Sequence, residues 1–344
     1  MPFPESNESN ESNKSQRRQG DILCLVNRAI KQTNSLGGKG QNFAVATRGY
    51  YGDGDRVELL QILGGPTGEQ IQAMEDAQGF VYTTVWTSKP TRTCTTCLDM
   101  TTGEMTEMVG VSGVIDPIAE AEYERVAVGM LGGRPRALAL CGTFPPGLRA
   151  ATVARIIAAR APGTMVFVDA VQDIQPVLAT GCIDILKVNS GEVLSILSSL
   201  DTQYAGLKSP AEMDLAAAAN SLGKRFSIGV MAVTDGPYTA YLADTKRSRC
   251  FAFCIPDLLD QRESLVRGSP LAEGCGEMML NPLGAGDTCS AIMLNLLLEG
   301  SDVVEAFAQG LAAASASCLV PMPNCIFDRQ VMERIRDQIT ITEL

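Results

Sequence analysis

The chain has 344 residues, of which 45% are hydrophobic and 19% charged, and this composition excludes a protein that is disordered throughout. Its 28 Lys and Arg stand against 39 Asp and Glu, and the net charge of −11 argues against a nucleic-acid partner. Histidine is absent, which excludes an imidazole base and histidine metal ligands. Arg155 and Arg160 interrupt the most apolar stretch, so no membrane partner is expected.

The N-terminal segment is unlike the rest of the chain. It repeats Glu-Ser-Asn three times and lacks an apolar core, which is typical of a disordered tail and not of a secretory signal. The 11 cysteines are odd in number and scattered among apolar segments, which favours a reducing compartment. We therefore predict a disordered tail over residues 1–20, one folded domain over 21–344 and a cytoplasmic location.

From Asp21 onward, short apolar runs alternate with segments of helical period, which is typical of an α/β protein with a mostly parallel sheet covered on both faces. The predicted core strands are Ile22–Val26, Val57–Leu63, Ala137–Cys141, Met165–Asp169, Ile183–Val188 and Ile228–Thr234. The predicted helices are Gly40–Arg48, Gly68–Gln78, Ala119–Leu131, Ala150–Ala161, Ala211–Gly223 and Gly286–Glu299.

One group of segments breaks this alternation. Phe80–Ser88, Thr91–Met100 and Glu104–Val109 are rich in Thr, Val and Tyr and are separated by turn-forming pairs. They predict an antiparallel flap. Such a flap is either a lid over a substrate or a purely structural excursion, and the residues alone leave both readings open.

The strongest chemical signal is Asn281-Pro-Leu-Gly-Ala-Gly-Asp-Thr288, which precedes an apolar helical run. Gly284, Ala285 and Gly286 lack bulk, so backbone N–H groups at the helix start can approach a phosphoryl group. Asp287 can accept a proton from an attacking hydroxyl. An ordinary loop with Asp287 as a helix cap would look the same. Since Gly-Lys-Ser/Thr is missing, this is not a Walker loop.

Two further glycine clusters precede predicted helices. In Ser35-Leu-Gly-Gly-Lys-Gly-Gln-Asn42, the backbone at Gly37 and Gly38 can approach a polyhydroxylated ligand, and Lys39 and Asn42 supply donors. A tight turn with a solvated lysine is the alternative. Cys141-Gly-Thr-Phe-Pro-Pro-Gly147 follows a predicted strand, which places it at the carboxyl edge where open α/β sheets bind ligands.

Together these motifs resemble the ribokinase-like carbohydrate kinases of the phosphofructokinase-B type. Asn-x-x-Gly-Ala-Gly-Asp, Gly-Gly-Lys-Gly-x-Asn and Gly-x-x-Pro-Pro-Gly occur in the order seen in that family, and the likeness is greatest to its 1-phosphofructokinase and tagatose-6-phosphate kinase branch. Leu186-Lys-Val-Asn189 and Thr234-Asp-Gly236 also fall in sequence. The resemblance covers most of residues 21–338.

The resemblance implies a three-layer α/β/α sandwich with a small, partly truncated β lid from about residues 26–36 and 80–110. It also implies phosphorylation of a sugar or sugar phosphate by ATP. The implied catalytic residues are Asp287 as general base and Gly284, Ala285 and Gly286 as an anion hole. Those implied for the sugar and its phosphate are Gly37, Gly38, Lys39, Asn42 and Arg92. Those implied for ATP are Lys187, Asn189, Glu192, Thr234 and Gly236, with Glu192 tied to Mg²⁺ through water.

One departure from the family pattern bears on activity. The family has a segment with a substrate-binding carboxylate after its first strand, whereas here Leu25 runs directly into Val26-Asn27. A kinase of an unphosphorylated sugar or nucleoside, or an impaired nucleotide-binding homologue, therefore stays open beside the sugar-phosphate kinase. A homodimer through the lid is a further expectation.

Overall fold

A computed structural model describes residues 34–52, 56–99, 104–170, 173–272, 280–321 and 325–344. The predicted tail over 1–20, the predicted strand Ile22–Val26, the direct junction after Leu25 and the lid segment over 26–33 all lie outside these residues. In the described part of the chain, no helix is long and apolar enough to cross a membrane.

The described helices and strands alternate over much of the chain, as expected. The helices are α1 (Lys39–Tyr51), α2 (Gly65–Gln78), α3 (Pro117–Leu131), α4 (Ala150–Ala158), α5 (Gln175–Leu178), α6 (Ser190–Leu200), α7 (Leu215–Arg225), α8 (Arg262–Leu265), α9 (Ala285–Leu298), α10 (Val303–Cys318) and α11 (Arg329–Arg336). The strands are β1 (Glu58–Leu63), β2 (Val81–Trp86), β3 (Cys94–Leu98), β4 (Met105–Val109), β5 (Ala137–Cys141), β6 (Met165–Asp169), β7 (Ile185–Asn189), β8 (Val230–Thr234), β9 (Ala240–Asp244), β10 (Arg249–Cys254) and β11 (Thr340–Glu343).

A seven-stranded sheet forms the centre, in the order β11-β10-β9-β8-β7-β6-β5. The ladders from β5 to β8 are parallel, as predicted. The ladders from β8 through β11 are antiparallel, so only β5, β6, β7 and β8 run parallel to one another. Strands β9 to β11 were not predicted.

Both faces of this sheet are covered, because successive residues of a strand point to opposite faces. On β6, Val166 and Val168 pack into the cluster that includes α4, α6 and α7, whereas Phe167 packs into the cluster that includes α1, α9 and α10. All three side chains are fully buried. The expected three-layer α/β/α sandwich is therefore confirmed.

The region before the central sheet differs from the prediction. Val57–Leu63 was expected in the central sheet and Phe80–Ser88 in an antiparallel flap. In the structure β1 and β2 instead pair parallel to each other, from Glu58 opposite Val81 to Leu63 opposite Trp86, in a sheet of their own within the described residues. The physical reason is helix α2, since a helical crossover between two strands returns the chain in the same direction.

The rest of the predicted flap is confirmed. Strands β3 and β4 form an antiparallel hairpin, with Cys94 opposite Val109 and Leu98 opposite Met105. Much of the hairpin is exposed, including Met108 and Val109. A two-stranded sheet with so little burial gains little stability by itself.

Candidate functional site

Most of the polar side chains that the sequence singled out lie near the carboxyl ends of β6 and β7 and the start of α9, and Arg92 is the exception among them. Asp169 is the last residue of β6, and Asn189 is the last residue of β7. Helix α1 also packs against α9. This juxtaposition puts the Lys39 and Asp287 motifs side by side, although 248 positions of sequence separate them (287 − 39).

Asp169, which the sequence analysis did not single out, is the centre of this group. Its carboxylate is fully buried. It lies 2.6 Å from Lys39 Nζ and 3.4 Å from Lys187 Nζ, and it accepts a hydrogen bond of 2.6 Å from Ser290 Oγ. Burial raises the pKa of Asp169, but the two lysine charges and these hydrogen bonds outweigh it, so the pKa is lowered and the carboxylate is ionised.

Lys187 is a buried support for the glycine loop. Its side chain is 4% exposed, and its Nζ donates to the carbonyl of Gly286 at 3.0 Å. A Cβ atom at Gly286 would lie 3.0 Å from that Nζ, so this approach favours glycine. Burial lowers the pKa of Lys187, but the charge of Asp169 outweighs it and the pKa is raised. The expected contact with ATP stays a prediction.

The glycine loop has the backbone that an anion site needs. Gly284 has a φ of 80°, in the left-handed region, and ends the loop at the N-terminus of α9. The N–H of Ala285 donates to the carbonyl of Pro282 at 3.1 Å. The N–H groups of Gly286 and Asp287 have no acceptor among the described residues, and they lie in the helix turn whose dipole favours negative charge.

Asp287 stands in the first turn of α9 and is 7% exposed. Its Oδ2 accepts a hydrogen bond of 2.7 Å from Asn42 Nδ2. Burial raises the pKa of Asp287 to about 6, with the nearby charge of Asp169 adding to the rise, while the Asn42 donor and the two lysines oppose it. A carboxylate with a pKa just below neutral is suited to take a proton at pH 7.

Lys39 lies between the buried Asp169 and Glu192 at the start of α6. Its Nζ lies 2.6 Å from Asp169 Oδ1 and 3.8 Å from Glu192 Oε1. Burial lowers the pKa of Lys39, but the charge and hydrogen bond of Asp169 outweigh it, so the pKa is raised and the ammonium is retained. The lysine is one-third exposed, which leaves part of its surface for a ligand.

Glu192 and Asn189 form a capping box at the start of α6. Asn189 Oδ1 accepts from the N–H of Glu192 at 2.9 Å, and Glu192 Oε2 accepts from the N–H of Asn189 at 2.8 Å. These two bonds satisfy backbone N–H groups that the first turn of a helix otherwise leaves without a partner. Glu192 Oε1 remains directed toward Lys39.

Thr234 and Gly236 lie beside this cap. Thr234 is opposite Asn189 in the ladder of β7 and β8. The Ser190 hydroxyl donates a hydrogen bond to the Asp235 carboxylate, and Gly236 has a φ of 58° in the turn that follows. The structure thus brings together the segments that the resemblance assigns to ATP.

Arg92 and Gly37 make no contact with the cluster around Asp169 in the described residues. Arg92 is exposed just before β3, and its Nη1 donates to Ser112 Oγ at 3.2 Å. No described atom lies within 4 Å of a Cβ built at Gly37, so its loop is open on that side. Gly38 has a φ of 111° at the N-cap of α1. Their contacts with sugar stay predictions.

A second buried polar group was missed by the sequence analysis. Gln41 Nε2 donates to Gln61 Oε1 at 2.6 Å, and Gln61 Nε2 donates to Glu75 Oε2 at 2.6 Å. Glu75 is completely buried, and its Oε1 has no partner in the described residues. Burial raises the pKa of Glu75 against the hydrogen bond from Gln61. Gln61 is a polar residue on the same strand face as the apolar Leu59. This polar residue among apolar ones was the signal in the sequence that could have revealed the group.

Comparison with known proteins identifies the family. Residues 23–325 match the pfkB family of carbohydrate kinases. The chain therefore belongs to this family and is an ATP-dependent sugar kinase. No curated protein matches the chain in sequence.

Solved structures of the same fold support this placement. Phosphofructokinase-2 from Escherichia coli, in complex with fructose-6-phosphate, is 21% identical, with 88% of this chain and 87% of that chain covered and a TM-score of 0.68. A possible 1-phosphofructokinase from Thermotoga maritima is 17% identical, with 95% and 93% covered and a TM-score of 0.71. Ribokinase from the same organism is 18% identical, with 91% of both chains covered and a TM-score of 0.62. The expected ribokinase-like fold is thus confirmed.

Proposed function

We propose that the protein transfers the γ-phosphoryl group of ATP to a hydroxyl of a sugar phosphate, with Asp287 as the general base. The observation that carries this proposal is the position of Asp287, buried at a helix start, with a pKa of about 6 and a 2.7 Å hydrogen bond from Asn42. Phosphoryl transfer needs a positioned acceptor and donors for the equatorial oxygens, with little covalent chemistry from the protein. The cluster around Asp169 supplies fixed charges for both needs.

The anion hole in this proposal is the turn from Gly284 to Asp287. The N–H groups of Gly286 and Asp287 would donate to the oxygens of the phosphoryl group being transferred, because the N–H of Ala285 already donates to the carbonyl of Pro282. Ala285 then contributes its small side chain and its place in the turn. Lys187 holds the loop by donating a hydrogen bond to the carbonyl of Gly286.

ATP would lie along Asn189, Glu192, Thr234 and Gly236, and Mg²⁺ would accompany it. Glu192 fits a water-mediated role, because its Oε1 projects toward Lys39 while its Oε2 is held by the helix cap. Mg²⁺ keeps most of its water and needs few protein carboxylates, and the described residues hold no group of three or more acidic, cysteine or histidine ligands. When bound, the ion would neutralise phosphate charge.

Gly37, Gly38, Lys39 and Asn42 would bind the sugar, and Arg92 would bind its phosphate. Arg92 has an exposed guanidinium, whose planar set of donors matches phosphate oxygens. The solved Escherichia coli phosphofructokinase-2 holds fructose-6-phosphate, which is an acceptor of this class. We therefore favour hexose phosphates over neutral sugars.

A test of this function measures ATP consumption with Mg²⁺ over ketose and aldose phosphates, neutral sugars and nucleosides. We expect turnover with a sugar phosphate, and a raised KM for it in Arg92→Ala with little change in kcat. Arg134→Ala is the matched control, because Arg134 is another exposed arginine, located after α3. Turnover of neutral sugars only, with a silent Arg92→Ala, would replace this proposal by the neutral-sugar kinase. Nucleotide binding without turnover would indicate the impaired homologue.

We also propose that two copies associate through the β3–β4 hairpin. Met108 and Val109 are more than half exposed there, and Val111 follows at 94% exposure. A second hairpin packed on these side chains would remove apolar surface from water. Light scattering should give a smaller mass for Val109→Glu than for Val128→Glu, a control on the partly exposed face of α3. Equal masses would reject the association.

The free state of all described cysteines supports the proposed cytoplasmic location, since disulfides are rare in reducing compartments.

A further inference from the structure

We propose that Thr47 and Asn295 form a positioning pair that fixes helix α1 on helix α9, so that Asn42 meets Asp287. This inference rests on the proposed function, in which Asp287 is the base. Neither residue of the pair belongs to the cluster around Asp169. Their effect would reach the reaction through Asn42.

The pair is a buried polar contact inside an apolar interface. Thr47 is 1% exposed and Asn295 is 7% exposed. Asn295 Nδ2 donates to Thr47 Oγ1 at 3.0 Å and to the carbonyl of Ala291 at 2.8 Å. The Thr47 hydroxyl donates to the carbonyl of Phe43 at 3.0 Å. Both protons of the Asn295 amide and the Thr47 hydroxyl proton therefore have acceptors.

The neighbours of the pair are apolar and specify the register of the two helices less sharply than a hydrogen bond does. Phe43 and Ala46 of α1 and Ala291 and Ile292 of α9 are buried in one apolar cluster. Apolar contacts are not directional, whereas a hydrogen bond between defined atoms is satisfied in one register only. A single buried polar residue fixes the register of helices in coiled coils for the same reason.

Two hydrogen bonds thus join the same two helices at two levels. The Asn42–Asp287 bond lies at the site, and the Asn295–Thr47 bond lies deeper in the interface. A shift or rotation of α1 on α9 would break both. Because the Asn42 donor favours the ionised form of Asp287, loss of register would leave the carboxylate buried with less support.

The test compares Thr47→Val, which removes the hydroxyl at nearly constant volume, with Thr47→Ser, which keeps it. The titration of the Asp287 carboxyl is followed by carbon NMR of aspartate-labelled protein, with Asp287→Asn to assign the signal, and turnover is measured from pH 5.5 to 8. We expect Thr47→Val to titrate at higher pH and to lose turnover about 3- to 10-fold at pH 6 and less at pH 8. Thr47→Ser should follow the wild type.

Asn295→Leu is a second variant for the case that Thr47→Val does not fold. It leaves no buried hydrogen-bonding group unpaired, because the Thr47 hydroxyl keeps its bond to the carbonyl of Phe43. It should show the same shift in the titration of Asp287.

A fall in thermal stability with an unchanged Asp287 titration and pH profile would mean that the pair is structural only, and would overturn the inference. If Asp287→Asn retained turnover while the NMR titration still moved in Thr47→Val, the proposed function would fail and the positioning role would stand. The two failures are therefore distinguishable.

Discussion

The carboxyl edge of the central sheet and the β3–β4 hairpin are built in opposite ways. Asp169, Lys187 and Asp287 are buried at the edge of strands that are covered on both faces. Lys187 Nζ lies 3.4 Å from Asp169, and Asp287 accepts a hydrogen bond of 2.7 Å from Asn42. The hairpin has few buried side chains, and the proposed phosphate ligand Arg92 precedes it on the surface. The proposed base and its supporting charges are thus fixed by burial, whereas the arginine proposed to bind the phosphate of the acceptor stands beside a lightly packed element.

The largest effect on stability should come from removing one partner of the buried ion pair. In Lys187→Met the buried negative charge of Asp169 loses one of its two positive partners. Breaking a buried ion pair in this way typically costs about 3–5 kcal/mol. We expect the free energy of unfolding, measured with urea, to fall by that amount. Lys246→Met is the control, because Lys246 pairs with Asp184 at 3.7 Å on the surface and such pairs contribute about 0–1 kcal/mol. Equal losses in both variants would contradict the comparison.

A smaller effect should follow from adding a methyl group at the glycine loop. In Gly284→Ala the new Cβ would collide with Cys325 Sγ, and the residue must hold a φ of 80°. The backbone alone costs about 1–2 kcal/mol for a residue with a side chain, and the collision adds to it. In Gly163→Ala the φ of 90° gives the same backbone strain, but no atom lies within 4 Å.

We therefore expect Gly284→Ala to lose more stability than Gly163→Ala, and also to lose turnover. Replacing Cys325 by alanine in the Gly284→Ala background should restore part of the stability. If the two glycine variants behaved alike, the close packing of Cys325 on the loop would not matter.

The smallest expected effect concerns Glu75 of α2, in the polar group that joins α1, β1 and α2. Its pKa is raised by burial, so its ionisation disfavours the folded state, and this cost appears as the pH rises from below the unfolded pKa through the folded pKa. Glu75→Gln keeps an acceptor for Gln61 and cannot ionise. Urea unfolding should show the variant gaining stability relative to the wild type between pH 4 and pH 8. A difference independent of pH would mean that Glu75 does not ionise in this range.

The sequence predicted the parts of this molecule that depend on local pattern. Strand β5 and the start of α4 were predicted at the residues where they occur, because apolar runs and helical periods are local. Strand β11 was missed because it is polar, and its pairing with β10 joins residues far apart in the chain. The parallel pairing of β1 with β2 was also missed, since β propensity does not report strand direction.

The site was predicted in a similar, partial way. Lys39, Asn42 and Asp287 follow from motifs, and the structure brings them together. Asp169 was taken only as the end of a strand, because a single acidic residue there carries no pattern. Its role depends on two lysines and a serine that come from three different elements.

The central claim, that Asp287 is the base, is tested most directly by the pH dependence of single-turnover phosphoryl transfer in the wild type and in Asp287→Asn. Nucleotide affinity is measured at each pH, so that changes in binding are separated from changes in chemistry. The wild-type rate should rise with pH around a midpoint of about 6, as Asp287 loses its proton. Asp287→Asn should bind nucleotide and react about 10²–10⁴-fold more slowly. A variant as fast as the wild type would contradict the account.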